Sequence, residues 1–370
     1  MSIFTDVFED VTKQGRKIPT SDYHETGVHP IIDQGQSAIA GYTDETDGLF
    51  TDVPAIIFGD HTRVLKYVDT PCFLGADGVK LLKAKIANSN CKYLYYVLSN
   101  ANIPNTGYNR HFKWLKEIDI PLPNADEQQK IVDTLDKISE LIGLRKEQLA
   151  KLDQLVKSRF VELFGDPFNN KKWDTQKLRN ISVSISDGSN VDKAYYEDKG
   201  DVLFLRIQNV WFNEFRLDDS VYISEDVNNE YLDTSLHHGD LLITKIGRYY
   251  TKDSSLGRVS VYLGEDDKAN YSNNIMRVRL TDEVCSEFVN ILMNLDDYNR
   301  YIREVSVGGT DKRALSKAII GDLPIIMPPK ELQFEFLEFV RQTDKLKLAI
   351  QQSLDKLETL KKSLMQEYFG

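Results

Sequence analysis

Four polar runs hold the side chains best able to make directional contacts with another molecule. Gly59-Asp60-His61-Thr62-Arg63, with Lys66 close behind, sits between two apolar runs, and Asn105-Thr106-Gly107-Tyr108-Asn109-Arg110-His111 gathers amide, phenol, guanidinium and imidazole tips around a glycine. Later in the chain, Lys245-Ile246-Gly247-Arg248-Tyr249-Tyr250-Thr251-Lys252 mixes cations with aromatics, and Gly308-Gly309-Thr310-Asp311-Lys312-Arg313 follows the same glycine-plus-donor pattern. Forked donors such as Arg and amides such as Asn read base edges, while neighbouring cations hold phosphates. Aromatic rings add stacking, and contact thymine methyl groups. The candidate contacts are therefore His61, Thr62, Arg63, Lys66, Asn105, Tyr108, Asn109, Arg110 and His111 in the first half. In the second half they are Lys245, Arg248, Tyr249, Tyr250, Lys252, Thr310, Lys312 and Arg313. Each run also reads as a solvated loop, in the first case with Arg63 paired to Asp60. Arg206, Gln208 and Asn209 are weaker candidates, because polar residues at the end of a strand often satisfy backbone groups instead.

Catalytic and metal chemistry finds little support. Cys72, Cys91 and Cys285 lie far apart without a CxxC pair, so neither a disulfide framework nor a cysteine zinc site is expected. His237 and His238 are sequence neighbours that point apart on a strand, and no HExxH pattern occurs. Asp187 with Glu197-Asp198-Lys199 forms a D…ExK-like set that a self-contained, magnesium-dependent nuclease would use. That triplet falls in a charged run, Tyr195 to Gly200, whose plainer reading is a solvated turn.

The elements that must position these residues follow from a chain of 370 residues, 41% hydrophobic and 28% charged, long enough for more than one core. No apolar stretch approaches the roughly 18 residues of a membrane span. The opening Met1-Ser2-Ile3-Phe4-Thr5-Asp6 lacks a basic region followed by an apolar one, so no membrane association and a cytoplasmic location are expected. The formal charge of −11 argues against nonspecific coating of nucleic acid. Residues 1–123 hold 12 basic and 15 acidic side chains, and residues 166–325 hold 20 and 27. With neither region basic overall, neither is expected to bind DNA strongly by itself.

Sliding the sequence by 205 residues superposes its end on its middle: Pro123 falls on Pro328, Gln128 on Gln333, Leu149 on Leu354, Leu155 on Leu360, and Phe164-Gly165 on Phe369-Gly370. Both copies carry apolar residues at alternating steps of three and four, which predicts long helices with a heptad seam. The seam runs through Ile131, Leu135, Ile138, Ile142, Leu149, Leu152, Val156 and Leu163, and through Phe336, Val340, Ile350, Leu354, Leu357 and Leu364. Arg145, Arg159, Lys347 and Lys361 interrupt it, which favours two helices of one chain pairing in one register. Prolines at 121, 123, 328 and 329 precede the helices, and Gly165-Asp166-Pro167 is a stop signal for the first. The intervening regions are β-rich. Ala55–Phe58 and Val64–Val68 flank one turn, and Asp240–Thr244 with Arg258–Tyr262 flank a longer one, as in two related domains with an insertion in the second.

With Pro121-Leu122-Pro123, Glu127-Gln128, a long heptad helix, Phe164-Gly165-Asp166-Pro167, a second variable region and a repeated helix, the whole chain resembles the specificity subunit of type I restriction-modification enzymes. The Gly239-Asp240-Leu241-Leu242 run and the Gly308-Gly309-Thr310 loop before Leu315-Ser316 also look like that family. Met327-Pro328-Pro329 departs from the first copy's Pro-x-Pro. The resemblance implies an α+β fold in which two globular target-recognition domains with β-rich cores, residues 1–123 and 167–325, are separated by two long antiparallel coiled-coil helices, residues 124–166 and 326–370, in a pseudo-twofold internal repeat. It implies a non-catalytic reader of a bipartite asymmetric site in double-stranded DNA, with no cofactor or metal of its own. Its partners would be two modification subunits using S-adenosylmethionine to methylate adenine, and restriction subunits using ATP and Mg. A self-contained nuclease and a scaffold that does not bind DNA are the alternatives.

Overall fold

The computed structural model describes every residue except Met1, Ala76, Asp77, Asn88, Tyr108, Asn170, Lys171 and Lys252. It divides into two compact units: Met1–Gln148 with Ala349–Gly370 (unit 1), and Leu149–Leu348 (unit 2). The first part of the chain runs β1 (Ser2–Ile3), α1 (Phe4–Val7), β2 (Phe8–Asp10), β3 (His29–Ile32), β4 (Gly41–Thr43), β5 (Ala55–Gly59), β6 (Leu65–Val68), β7 (Phe73–Leu74), β8 (Val79–Ala84), α2 (Cys91–Asn100), α3 (Phe112–Leu115), β9 (Asp119–Ile120) and α4 (Ala125–Phe164). Strands in the order β2-β8-β5-β6 make an antiparallel sheet, β4-β3-β7 a mixed one, and β1 pairs with β9. Strand β5 is buried on both faces. Ile56 and Phe58 join one apolar cluster with Leu94 and Leu135, while Ala55 and Ile57 join another with Leu74 and Leu81. This is why Ala-Ile-Ile-Phe shows no polar alternation.

The remainder runs β10 (Thr175–Lys177), β11 (Ser182–Asp187), β12 (Val202–Leu205), β13 (Val221–Ile223), α5 (Glu225–Asn229), β14 (Leu241–Thr244), β15 (Ile246–Arg248), β16 (Val259–Val261), β17 (Ala269–Tyr271), β18 (Ile275–Leu280), α6 (Ser286–Met293), α7 (Asp296–Val305), β19 (Val307–Gly308), β20 (Lys312–Ala314), α8 (Lys317–Gly321), β21 (Pro324–Ile326) and α9 (Lys330–Phe369). The sheets β11-β18-β14-β16, β13-β12-β17 and β10-β21 repeat those of unit 1 strand for strand. Unit 2 adds a third small sheet, β15-β20-β19. The expected insertion is therefore an element with its own hydrogen-bond ladder.

Helices α4 and α9 are 40 residues each, about 60 Å at 1.5 Å per residue. The heptad positions named above are buried or half-buried in both, including the charged Arg145, Arg159, Lys347 and Lys361. Two of the seam charges, Lys347 and Arg159, are answered across it, and Lys146 beside the seam makes a further ion pair. Lys347 Nζ lies 2.6 Å from Asp153 and Arg159 3.4 Å from Glu335 in unit 2, and Lys146 lies 2.8 Å from Glu358 in unit 1. In unit 2 the helices run antiparallel, since Asp153 meets Lys347 while Phe160 meets Phe336. Burial lowers the proton affinity of Lys361, partly offset by nearby Asp136. Gly165, at φ +76°, ends α4 with its N–H on Val161, and Asp166 accepts the Phe168 N–H, a bond that holds its carboxyl below the usual range.

One duplicated side chain fastens each helix to its own unit. Gln128 donates Nε2–H to the Pro123 carbonyl (2.8 Å) and accepts the Asn90 N–H at the start of α2 (2.9 Å). Gln333 does the same with Pro328 (2.8 Å) and with Cys285 at the start of α6 (2.9 Å). Both are buried. Tyr93 and Tyr298, also 205 residues apart, donate to the carbonyls of Pro121 and Pro324. Gln128→Ala leaves a half-buried N–H and a half-buried C=O without their partner, each costing about 1–2 kcal/mol at the lower part of the range for buried groups, so a loss of about 2–4 kcal/mol in urea unfolding is expected. Gln333→Ala is expected to match it; a loss under about 0.5 kcal/mol in either would refute the fastening role.

Four leucines off the seam stay in solvent at positions that the repeat preserves. Leu141 and Leu360 are 41% and 47% exposed in unit 1, and Leu346 and Leu155 are 57% and 47% exposed in unit 2. Leu141 repeats as Leu346 and Leu155 as Leu360, so each unit displays the same pair. Among the described residues no helix is long and apolar enough to cross a membrane.

Candidate nucleic-acid interface

In unit 1 the turn after β5 and the run before α3 are drawn together by one buried contact. The Asp60 carbonyl accepts the His111 N–H (2.8 Å) and faces its Nδ1 (3.0 Å), while Asp60 Oδ1 accepts the Phe112 N–H (2.7 Å). A carbonyl can only accept, so Nδ1 carries the proton and Nε2 is left to accept from Thr106 (3.3 Å to Oγ1). His111 is fully buried and does not face solvent as the sequence reading expected; its ring ties the 105–110 loop to the β5 turn. Lys66 is buried as well. Its Nζ donates to the Ser37 carbonyl (2.6 Å) and pairs with Asp33 (3.4 Å). Both side chains were expected at the surface because their partners lie 51 and 29 residues away in sequence, beyond local pattern.

The polar side chains around this latch are mostly exposed, and Asn109 donates its amide N–H to the Thr106 carbonyl. Asn105, Asn109 and Arg110 are exposed, as is Thr62, whose hydroxyl donates to the Gln34 carbonyl (2.6 Å). Arg63, at φ +62°, donates to the Ile103 carbonyl (3.1 Å) and not to Asp60, so it bridges the two loops. His61 is half-buried, with its N–H on Gln34 Oε1 (3.3 Å). Gly107 takes φ +76°, a conformation that turns the run between Asn105 and Asn109 at little cost only for glycine. Tyr108 lies outside the described residues. The sequence reading missed the segment Asp33–Ser37, which brings Gln34 and the exposed Gln36 to the same edge. Its signal is the pair of amides around Gly35 directly after an apolar strand.

In unit 2 the two singled-out runs become neighbouring strands. β15 pairs with β20 so that Arg248 stands opposite Lys312 and Ile246 opposite Ala314, and β19 sets Val307 beside Ala314. Arg248, Thr310 and Lys312 are exposed, and the contact of Arg248 with Asp311 is loose at 3.7 Å. On the other face, the Arg313 guanidinium lies 4.0 Å from the centre of the Tyr249 ring, and Tyr249 supports Tyr250 edge-on at 4.9 Å. Tyr250 is 76% exposed. Lys245 is half-buried in an ion pair with Asp187, and Lys252 lies outside the described residues. Gly247 is dictated by close approach, because a Cβ there would sit 2.3 Å from the Leu256 nitrogen.

Buried Arg258 holds that backing segment. It donates to the carbonyls of Val210, Asp253 and Ser254 and stacks 3.7 Å from the Trp211 ring, which carries Arg216 at 3.4 Å. Burial lowers its proton affinity from the usual guanidinium value. Asn209 is buried as a brace, donating to the Arg216 and Asp219 carbonyls, and Arg206 pairs with Asp219. The nuclease set does not assemble. Asp187 is engaged by Lys245, and among the described residues no group of three His, Cys, Asp or Glu side chains is placed to share a cation.

Residues 3–154 match the family model described as the type I restriction modification DNA specificity domain. The chain is similar to the type I restriction enzyme EcoR124I/EcoR124II specificity subunit of Escherichia coli, 30% identical over 151 residues, or 35% of this chain and 37% of that one. It is also similar to the type I restriction enzyme MjaVIII specificity subunit of Methanocaldococcus jannaschii, 22% identical over 269 residues, or 68% and 61% of the two chains. The chain thus spans less than two thirds of the length of either relative. Among solved structures it superposes on the type I restriction-modification S subunit from M. genitalium with a TM-score of 0.59 at 15% identity, over 100% of this chain and 95% of that one. A structure described as the basis of complex assembly and conformational transition of the type I R-M system gives 0.53 at 16%, with the same coverage. At these identities the likeness is one of fold, and it extends over both repeats. Residues 3–154 are thus similar to the type I restriction modification DNA specificity domain, and the chain as a whole shares its fold with a solved type I restriction-modification S subunit.

Proposed function

We propose that this chain is the DNA-reading and assembly subunit of a type I restriction-modification enzyme and performs no catalysis itself. Residues 1–123 and 167–325 each read one half of a bipartite, asymmetric target in double-stranded DNA, and residues 124–166 and 326–370 act as spacer and docking helices. The reading residues are Thr62, Arg63, Asn105, Asn109 and Arg110 in unit 1, and Arg248, Tyr250, Thr310 and Lys312 in unit 2. His61, His111 and Lys66, with Lys245, Tyr249 and Arg313, position the loops and strands that carry them. Tyr108 and Lys252 complete the two runs. The observation that carries this reading is the duplication: each unit is built on the same four-stranded sheet, carries a group of exposed donors outside it, and repeats the same pair of exposed helix leucines. Two equivalent leucine pairs suit two modification subunits, which supply S-adenosylmethionine and the methyl transfer, while restriction subunits supply ATP- and Mg-dependent cleavage.

The test is the mass of the complex formed by tagged chain in its native cells, assayed in the same sample for S-adenosylmethionine-dependent methylation of DNA. One chain with two modification subunits and active transfer is the expected result. A chain that purifies alone, without methyl transfer, would overturn the proposal. In the active complex, Arg110→Ala is expected to weaken discrimination at the unit 1 half-site by about 1–3 kcal/mol if Arg110 forks onto a base. A scaffold that does not read DNA predicts no change.

A further inference from the structure

The repeat makes the two readers comparable element by element, and one sheet has no counterpart. Unit 1 contains only the four-stranded sheet, the three-stranded sheet and the β1-β9 pair among its described residues, whereas unit 2 adds β15-β20-β19. We infer that the β15-β20 ribbon of unit 2 enters the major groove of its half-site with the face bearing Ile246, Arg248 and Lys312 toward the base edges. The inference rests on the DNA-reading function proposed above and deepens it. It makes the two halves of the target differ in how they are read: by loops in unit 1, by a ribbon in unit 2.

Strand alternation decides which side chains share that face. Ile246 and Arg248 are exposed while Gly247 between them is buried against Leu256. The ladder sets Lys312 and Ala314 opposite Arg248 and Ile246, hence on the same face, and Val307 beside Ala314. The outer face therefore holds an apolar row, Ile246-Ala314-Val307, and a cationic row, Arg248-Lys312. Ile246 and Val307 stay exposed, and Tyr250 stands beyond the cationic row on a ring clamped by Arg313. Exposed apolar groups beside cations on one small rigid sheet suit a surface that is both anionic and studded with methyl groups, which the major groove is. The dimensions agree: two strands lie about 4.8 Å apart, and the groove, about 12 Å wide, admits a two-stranded ribbon with its side chains. The third strand is only two residues long and adds little breadth. Arg248 is released at little cost, because its ion pair with Asp311 is long and both partners are about two thirds exposed.

The test uses the complete complex with its modification subunits and a panel of DNA targets carrying every single base-pair change, read out as methylation and as binding. Arg248→Ala is expected to relax selectivity about 10- to 100-fold at one or two adjacent pairs of a single half-site and to leave the other half-site unchanged. Lys312→Ala is expected to weaken all targets alike and to reduce the salt dependence by about one phosphate contact. Arg110→Ala is expected to act on the opposite half-site. Unchanged profiles for both Arg248→Ala and Ile246→Ala, or loss of a modification subunit in place of selectivity, would overturn the inference while wild type still reads its target. A wild-type complex without any bipartite target would instead overturn the function on which the inference rests. Since Ile246, Arg248 and Lys312 lie on the solvent face, unchanged thermal melting of the variants confirms that folding is not what was altered.

Discussion

Phe160→Ala is expected to unfold unit 2 well before unit 1. The Phe160 ring is fully buried at the end of α4 and lies 4.9, 5.6 and 5.5 Å from the rings of Phe164, Phe288 and Phe336. Those partners come from the same helix, from α6 and from the start of α9, so one ring joins both long helices to the domain. Truncating a buried Phe costs about 3–5 kcal/mol through lost transfer energy and the cavity left behind. Domains are stable by only about 5–15 kcal/mol, so much of the stability of unit 2 would go. Tryptophan fluorescence in urea provides the measurement. Trp173, whose Nε1–H donates to the Phe164 carbonyl (3.1 Å), and Trp211 report on unit 2, and Trp114 on unit 1. With a slope of about 1–3 kcal/mol per molar urea, the unit 2 midpoint should fall by at least about 1 M while that of unit 1 holds. A single transition that moves as a whole would show that the two units unfold together.

The duplication is not energetically even. Phe164 repeats as Phe369, yet Phe164 is fully buried among three phenylalanines, whereas Phe369 is half-buried against Tyr93 and Tyr368. The same residue type at the same register position serves as a core residue in unit 2 and as a rim residue in unit 1. Identity across a repeat therefore fixes position along the helix, and the neighbours fix the contribution.

That distinction separates what was legible in the sequence from what was not. The helix seam was legible because burial along a helix follows a period of 3.6, and Leu135, Val156 and Leu354 are buried as their spacing requires. The hairpins were legible for a similar reason: the apolar runs at 55–58 and 64–68 pair, with Ala55 opposite Val68. The two runs before α3 and α8 were legible by their shared glycine-plus-donor pattern, and the fold brings each beside the turn or strand that follows β5 or β14. Side-chain direction was not legible. His111 and Lys66 turn inward because a carbonyl distant in sequence, Asp60 or Ser37, offers a buried partner, and nothing within a few residues announces it. Gln128 and Gln333 were legible as matching positions only. Their work depends on backbone groups of α2 and α6, which become neighbours through the fold alone.

Leu141→Glu with Leu360→Glu is expected to leave a complex with one modification subunit in place of two. Each unit keeps its leucine pair in solvent although a heptad seam runs nearby to receive apolar side chains, and the repeat preserves both positions, Leu141 with Leu346 and Leu155 with Leu360. Burying a leucine stabilises an interface by about 1.5–3 kcal/mol, so a pair contributes about 3–6 kcal/mol, more than two orders of magnitude in affinity. Glutamate removes that gain and adds the cost of burying an unpaired carboxylate. On solvent-exposed helix positions the same substitutions should change the stability of the free chain by less than about 0.5 kcal/mol, because Glu is a good helix former. Native mass measurement of the assembled complex distinguishes the outcomes. Loss of one partner from the unit 1 pair, loss of the other from Leu155→Glu with Leu346→Glu, and loss of both from the four together would place the docking surfaces on the helices. Retention of two partners in the fourfold variant would remove the leucines from the interface. It would shift docking to the globular parts of the units, where the repeat also supplies two equivalent surfaces.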